Sequence, residues 1–340
     1  MNKQCMNSDS GFASTKFLFM LLFLSALSLG IGFYLHSFIQ IEERARRNNE
    51  ITGEINRILN EVITTICHDP TPNINSFDDP VWTWNGKTVN GYTVTVNPVS
   101  DRLNLNFVRK NVFDKTNISV LLAPGKTPDD LQQFREDRGL SLFPEDYRPF
   151  FVPEVFERYF SCYGWANINL TDEFAARKLA LALTGSEQAA EGLRAAIQRQ
   201  LMNRESVTRN NLRTVLGGDY DGLFPFVNVE PLMNINLVEP ALLEELLSYS
   251  DYAVPFPERR SQEIIALRET GGIDAASIPM LLGIDPNNPL VHYLGSITWF
   301  WELTISGGQK SQRTVLCRLP SNGDNQSEVI VFNIIEQRYQ

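Results

Sequence analysis

The stretch Ser10-Gly11-Phe12-Ala13-Ser14-Thr15-Lys16-Phe17-Leu18-Phe19-Met20-Leu21-Leu22-Phe23-Leu24-Ser25-Ala26-Leu27-Ser28-Leu29-Gly30-Ile31-Gly32-Phe33-Tyr34-Leu35 decides how this chain is read. From Phe17 to Leu35 no residue carries a charge, and at 1.5 Å of rise per residue a helix over it spans roughly 28 Å, close to the hydrocarbon thickness of a bilayer. A lone segment in lipid must satisfy its own backbone groups, so a helix is the form it takes, and its two glycines do not forbid that. A secretory signal peptide is the competing reading, with Lys3 and Lys16 as its positive start and Ser25-Ala26-Leu27-Ser28 as a small-residue cleavage site. Against it, the apolar run passes that site and continues from Leu35 into His36-Ser37-Phe38-Ile39-Gln40-Ile41-Glu42-Glu43, with no Pro or Gly before Gly53. Lys3 and Lys16 put the short N-terminal end in the cytoplasm by the positive-inside tendency, while Arg44, Arg46 and Arg47 pull the other way among Glu42, Glu43 and Glu50.

Working outward, Ile51, Ile55, Ile58, Leu59, Val62, Ile63 and Ile66 recur at three and four with Asn, Glu and Arg between them, which is one face of an amphipathic helix. Joined to the apolar span it predicts a helix from about Phe12 to Ile66, on the order of 80 Å long, half in lipid and half laid on a soluble core. A coiled-coil neck is disfavoured, because the face covers only about two heptads.

Turn-rich residues 68–80 follow, and then strand signals. Val81-Trp82-Thr83-Trp84 and Lys87-Thr88-Val89 around Asn85-Gly86 predict a hairpin, and Gly91-Tyr92-Thr93-Val94-Thr95-Val96 alternates as a further strand. From about Asn117 to Asp285 the texture changes to helices separated by Pro and Gly. Thr127-Pro128-Asp129-Asp130 is a capped helix start, and Glu173 to Ala182 and Ser186 to Met202 are amphipathic. Ala166-Asn167-Ile168-Asn169-Leu170-Thr171 and Met233-Asn234-Ile235-Asn236-Leu237-Val238 form a near-repeat, each copy a short extended piece feeding a helix. The Asn side chains suit this as turn formers and caps that bond nearby amides, with no ligand implied. Past Pro286 and Pro289, Ser296–Ile305, Ser311–Arg318 and Ser327–Glu336 predict a three-strand meander with a turn at Gly307-Gly308.

Composition narrows the function. With 43% apolar residues and 18 prolines, the 340-residue chain has room for two domains beyond an anchor. A formal net charge of -10 repels nucleic acid and anionic lipid. Cys67, Cys162 and Cys317 allow one disulfide with a free thiol, or three buried thiols, and Cys5 lies in the N-terminal segment. The scattered His36, His68 and His292 make a zinc site a poor expectation. There is no Gly-x-Ser-x-Gly, phosphate loop or His-Glu-x-x-His, and the pairs Asp129-Asp130 and Glu244-Glu245 read as solvated helix faces, so the chain is read as non-enzymatic. The loop Pro320-Ser321-Asn322-Gly323-Asp324-Asn325-Gln326-Ser327-Glu328 has oxygen donors without the spacing of an EF-hand and reads as a turn. Arg260–Arg268, Gly271-Gly272-Ile273 and Ile278–Ile284 read as helix, turn, helix, similar to the helix-hairpin-helix of some DNA-binding modules. The acidic turn Glu269-Thr270-Gly271-Gly272-Ile273-Asp274 is ill suited to phosphate.

Several of these features carry a family resemblance. Gly11-Phe12 directly before an uncharged span resembles the cleavage point of type IV pilin-like precursors, in which a membrane peptidase cuts between Gly and Phe and the new N-terminus is methylated. The fifth residue after the cut is Lys16, where the pilin pattern has Glu, and that departure resembles the K-type minor pseudopilin of the type II (general) secretion pathway. Asp101-Arg102-Leu103-Asn104-Leu105-Asn106 after the early strands, and Asn234-Ile235-Asn236 with Pro240 close behind, are similar to that family's sequences, although the proline falls one place later than in its pattern. The aromatic and glycine-turn strands at the end are similar too.

The resemblance implies an α+β, type IV pilin-like fold, a long N-terminal helix on an antiparallel sheet, with a large inserted α-helical domain. It divides the chain into a leader (1–11), a transmembrane half-helix (12–35), the pilin-like helix and first strands (36–116), an inserted helical domain with the helix-hairpin-helix-like segment as a packing unit (117–285) and closing strands (286–340). It implies a non-enzymatic subunit at the tip of a periplasmic filament, single-pass in the bacterial inner membrane. Its partners are other minor pseudopilins and the prepilin peptidase, with no nucleic acid and no cofactor. Because pseudopilins often carry calcium near their last strands, the resemblance keeps calcium open there. The other readings are a membrane-anchored periplasmic helix-hairpin-helix protein binding DNA, and a secreted enzyme of unknown type.

Overall fold

The computed structural model describes residues 20, 40, 42, 46, 49–108, 110–138, 141, 143–170, 173–203, 206–224, 226–308, 310–319 and 328–339. Apart from Met20, the apolar span lies outside the described residues, as do Gly11, Phe12 and Lys16. Among the described residues no helix is long and apolar enough to cross a membrane. The chain forms two compact units, Met1–Asn60 and Glu61–Gln340.

Residues 49–67 are helical (α1), 49–60 in the first unit and 61–67 in the second. The expected stripe is the buried one: Ile55, Ile58 and Leu59 in the first unit, Val62 and Ile66 in the second, while Gly53, Asn56, Arg57 and Asn60 are exposed.

The fold is α+β. Its main sheet has five antiparallel strands: β1 (Thr88–Val89), β2 (Tyr92–Pro98), and, much later in the chain, β9 (Phe300–Gly307), β10 (Lys310–Leu319) and β11 (Glu328–Tyr339), in the order β1-β2-β9-β10-β11. The meander β9-β10-β11 is as the alternation predicts, although β9 starts at Phe300 and not Ser296. Ser296 and Thr298 are engaged elsewhere, the Ser296 hydroxyl donating to the Asn73 carbonyl at 2.7 Å and the Thr298 amide to Asn75 Oδ1 at 2.8 Å. The first hairpin corrects the sequence reading. Pro80–Trp84 is a 3-10 turn, started by Pro80 and pinned by its indoles: Trp82 Nε1 donates to the Ser76 carbonyl at 2.6 Å and Trp84 Nε1 to Thr65 Oγ1 at 3.0 Å. The hairpin is β1-β2, and its turn is Asn90-Gly91, whose φ values of 49° and 83° suit a type I′ connection.

Between β2 and β9, which are hydrogen-bonded neighbours, the chain makes three strand–helices–strand passes. The first runs from β3 (Leu103–Asn104) through α2 (Lys110–Lys115), α3 (Pro128–Arg138), α4 (Pro144–Tyr147) and α5 (Pro153–Tyr159) to β4 (Phe160–Ser161). The second runs from β5 (Ala166–Asn167) through α6 (Glu173–Thr184), α7 (Glu187–Asn203), α8 (Arg209–Leu216) and α9 (Tyr220–Leu223) to β6 (Val227–Asn228). The third runs from β7 (Met233–Asn234) through α10 (Pro240–Ser248), α11 (Pro257–Arg268) and α12 (Ile278–Leu282) to β8 (Leu294–Gly295). In each pass the first and last strands pair in parallel, two residues against two. The first and third passes share one hydrophobic core with the start of the sheet, and most of the second has its own, rich in alanine.

Candidate functional site

The six asparagines of the repeated Asn-x-Asn motif sit at the centre of these passes. Asn104, Asn167 and Asn234 each end the first strand of a pass, and each accepts at Oδ1 from the amide two residues on, at 2.9, 3.0 and 2.9 Å. This is the local amide bonding that asparagine favours, and it closes a turn as the chain leaves the strand. The backbone carbonyls of the same three residues accept from Val108, Leu170 and Val238 at 2.9 Å each, so the turn feeds the next helix through main-chain bonds and not through a side-chain cap.

The second asparagine of each pair reaches much further. Asn106 Nδ2 donates to the Ser141 carbonyl at 2.9 Å while Oδ1 accepts the Ser141 amide at 3.0 Å. Asn169 holds Val207 in the same way at 3.1 and 2.8 Å, and Asn236 holds Ile273 at 3.0 and 2.7 Å. Each amide thus satisfies the peptide N–H and C=O of one residue in a turn 35, 38 or 37 positions along, and does so while almost wholly buried. Arg135 and Arg268 occupy matching places in the first and third passes. Their Nη1 atoms donate to Val108 and Val238 carbonyls at 2.6 Å, and to those of Leu105 and Ile235 at 3.1 and 3.4 Å. The sequence shows the second and third copies as a near-repeat. The first copy, Leu103-Asn104-Leu105-Asn106, stands in the sequence only as a family-like segment, and aligning Asn104 and Asn106 with the other two pairs is the signal that finds it.

Bonds among the passes and the segments that connect them lock the set together. Asn167 Nδ2 donates to the His292 carbonyl at 2.9 Å, Trp165 Nε1 to the Glu230 carbonyl at 3.0 Å and Trp299 Nε1 to the Pro231 carbonyl at 2.9 Å. Ser206 Oγ and His292 Nε2 lie 2.8 Å apart, a pairing with the look of a nucleophile and its base. Burial pulls the His292 pKa down to about 4, far below the neutral range in which a general base works, so the pair serves as a tie between the second and third passes. The adjacent carboxylates have structural work as well. Asp130 accepts from the Thr127 amide and hydroxyl at 2.8 Å, capping α3, and Glu245 accepts from the Asn117 amide at 2.9 Å.

The helix-turn-helix over α11 and α12 forms as expected, with Gly271 and Gly272 at φ 147° and 82°. Its turn is exposed at Glu269, Thr270, Gly271 and Asp274 and lines an open cleft of about 350 Å³, with Ile273 buried beneath. The Ile273 amide is taken by Asn236, and a Cβ on Gly272 would come within 3.0 Å of Ile74 Cγ2. A phosphate would find that donor already engaged and Glu269 and Asp274 beside it, so the DNA reading gains no support. A cavity of about 30 Å³ between Leu103, Trp165, Leu232 and Tyr293 is water-sized and too small for an organic ligand. Among the described residues no group of three or more His, Cys, Asp or Glu could hold a metal ion, and residues 320–327 of the loop considered for calcium lie outside them. Cys67, Cys162 and Cys317 are free thiols, with Cys162 and Cys317 buried.

No protein-family profile matches this chain, and no curated protein sequence matches it. Among solved structures it is similar, at 13% identity over 87% of this chain and 99% of the other and with a TM-score of 0.33, to a chain of the GspK-GspI-GspJ complex from the type 2 secretion system of enterotoxigenic Escherichia coli.

Proposed function

We propose that this chain is a K-type minor pseudopilin of the type II secretion pathway: a non-enzymatic subunit that caps or initiates the periplasmic filament. The observation that carries the reading is topological. β2 and β9 are direct neighbours in one antiparallel sheet, yet residues 99–299 separate them in sequence and are folded into three clamped helical passes. A pilin-like sheet interrupted in this way matches what the sequence resemblance implies. The apolar span beginning behind Gly11-Phe12 supplies the membrane anchor of the same reading.

In this proposal the N-terminal helix bundles with those of other minor pseudopilins in the inner membrane, after the prepilin peptidase has cut before Phe12. The helical passes are too bulky for another subunit to stack above them, which confines the chain to the tip. Lys16 fits that place. The pilin Glu at this position is expected to pair with the N-terminal amine of a neighbouring subunit, and a subunit at the tip can omit it. Intact-mass and N-terminal analysis of the membrane-extracted protein tests the reading. An N-methylated chain starting at Phe12 is expected; a soluble chain starting near Leu29 would discard it.

A further inference from the structure

Beside the Ser296 bond to Asn73, a buried asparagine fastens the link after α1 to the rest of the second unit. Asn75 donates its amide to the Ser296 carbonyl at 2.7 Å, accepts at its own carbonyl from Asn234 Nδ2 at 3.0 Å, and accepts at Oδ1 from Thr298 at 2.8 Å. Its Nδ2 donates to Asp69 Oδ2 at 2.7 Å, and Asp79 lines the same small space. Two carboxyls therefore face one space, Asp79 being 6% exposed and the Asp69 side chain also 6%.

Among the described residues the cation facing them is Arg318 of β10, whose Nη1 stands 3.8 Å from Asp69 Oδ2 with its side chain 4% exposed. Cys67, at the end of α1, is a further described titratable group beside them, and burial pushes its thiol up, away from ionisation. Asp69 Oδ1 accepts from the Thr71 amide at 2.9 Å and the Thr71 hydroxyl at 3.2 Å. Asp79 sits in a tighter place. The space beside it, shared with Thr65, Val81 and Trp301, is about 10 Å³, the lower limit for a single water. The Trp301 indole N–H, buried and without a partner among the described residues, lines the same space. A second negative charge there would meet little solvent and one guanidinium already shared with Asp69.

We propose that Asp79, nearly buried in a space it shares with Asp69, is a proton-held latch: it keeps a proton taken from water, and its ionisation loosens the 68–80 link from its buried contacts with the segment before β9 and with the third helical pass. Burial first, and the Asp69 charge with it, set against the Asn75 and Ser76 bonds, push the Asp79 pKa up to about 6. A raised value means that the closed latch binds a proton the opened link has already lost. Stability from the latch is thus complete below the ordinary aspartate range near 4 and is lost as pH rises to 6, with no further change above.

Hydrogen exchange on the full-length protein in detergent, corrected for intrinsic rates, tests this at pH 4.5, 5.5, 6.5 and 7.5. Protection of amides in 68–82 is expected to fall by at least tenfold from pH 4.5 to 6.5 and then level off. Asp79→Asn, which keeps the shape without the charge, is expected to hold protection high at every pH, while exchange in β9 and β10 stays unchanged. Equal pH dependence in the wild type and Asp79→Asn would overturn the latch, as would flat protection in the wild type. Asp69→Asn supplies the second arm: it removes the repelling charge, so the wild-type fall should move to lower pH. A fall that stays in place would assign the effect to burial of Asp79 alone and overturn the part given to Asp69.

Discussion

The five-stranded sheet and the three helical passes hold themselves together by different means. In the sheet, β9 pairs with β10 along its whole length and β2 adds a further ladder, so cohesion is spread over many main-chain bonds that do not depend on residue type. In the passes the ladders are two residues long, and the distant turns are held by single buried amides. Distributed cohesion tolerates substitution. Concentrated cohesion does not, and it makes the helical region the part of the molecule whose geometry one atom can set.

The sharpest way to break this contrast is to truncate a clamp. Asn236→Ala removes both bonds to Ile273 and leaves a buried N–H and C=O unpaired, each worth roughly 1–3 kcal/mol, so a loss of about 3–5 kcal/mol is expected in urea unfolding. Thr304→Ala, a half-buried position in the ladder between β2 and β10, should cost about 0.2–1 kcal/mol. Equal losses would mean that the passes are held by their cores and that the clamps are incidental. Asn169→Ala should resemble Asn236→Ala, because its geometry at Val207 is the same.

How much of this was legible follows from the same contrast. Alternation and periodicity report which faces are buried, and they found the α1 stripe, the closing meander and the helices from Thr127 onward. They also found two of three Asn-x-Asn copies and their turn-closing bonds, since an asparagine's reach to the amide two residues on is a local property, but not that Asn234 and Asn236 leave α10 without a side-chain cap. The grip of Asn106 on Ser141 is not local, and no pattern in the sequence records which distant peptide a buried amide will meet. The first hairpin misled for a related reason. Asn85-Gly86 and Asn90-Gly91 carry the same turn signal, and the choice fell to Pro80 and to the bonds of two tryptophan indoles. The processing residues Gly11, Phe12 and Lys16 were legible only through resemblance, and they lie outside the described residues.

A glycine comparison sharpens the contrast at smaller scale. Gly164, between the first two passes, has φ 150°, and a Cβ there would lie 2.3 Å from Asn104 Nδ2 and 3.0 Å from Leu232 Cδ1. Gly125, in the loop before α3, has φ 80° and nothing within 4 Å. Both substitutions strain the backbone, but Gly164→Ala must also displace Asn104, which closes the turn leading to the Asn106 clamp, so about 2–4 kcal/mol is expected against about 1 kcal/mol for Gly125→Ala. Thermal melts of the two variants decide it, and a Gly125→Ala cost as large as that of Gly164→Ala would show that the seam yields to the added methyl.

The smallest expected effect concerns the tie between the second and third passes. Burial holds His292 neutral, with its pKa drawn down from 6.5 to about 4, so the unfolded chain binds the extra proton between those values and stability rises with pH across that window. The full shift would correspond to about 3 kcal/mol; because the ring is partly exposed, about 1–2 kcal/mol is the expected yield. Asp79 and Asp101, pushed up by burial to about 6 and about 7, work in the opposite direction, since the folded protein keeps protons there that the unfolded chain releases. Bulk stability against pH therefore hides the histidine, and the informative quantity is the difference from His292→Gln, which can still hydrogen-bond Ser206 without titrating. The wild type should gain on that variant by about 1–2 kcal/mol from pH 4 to 6.5 and run parallel to it above. A constant difference would place the imidazole in contact with solvent and reduce the Ser206 bond to a surface contact, leaving Asn167 and the two tryptophans to join the passes.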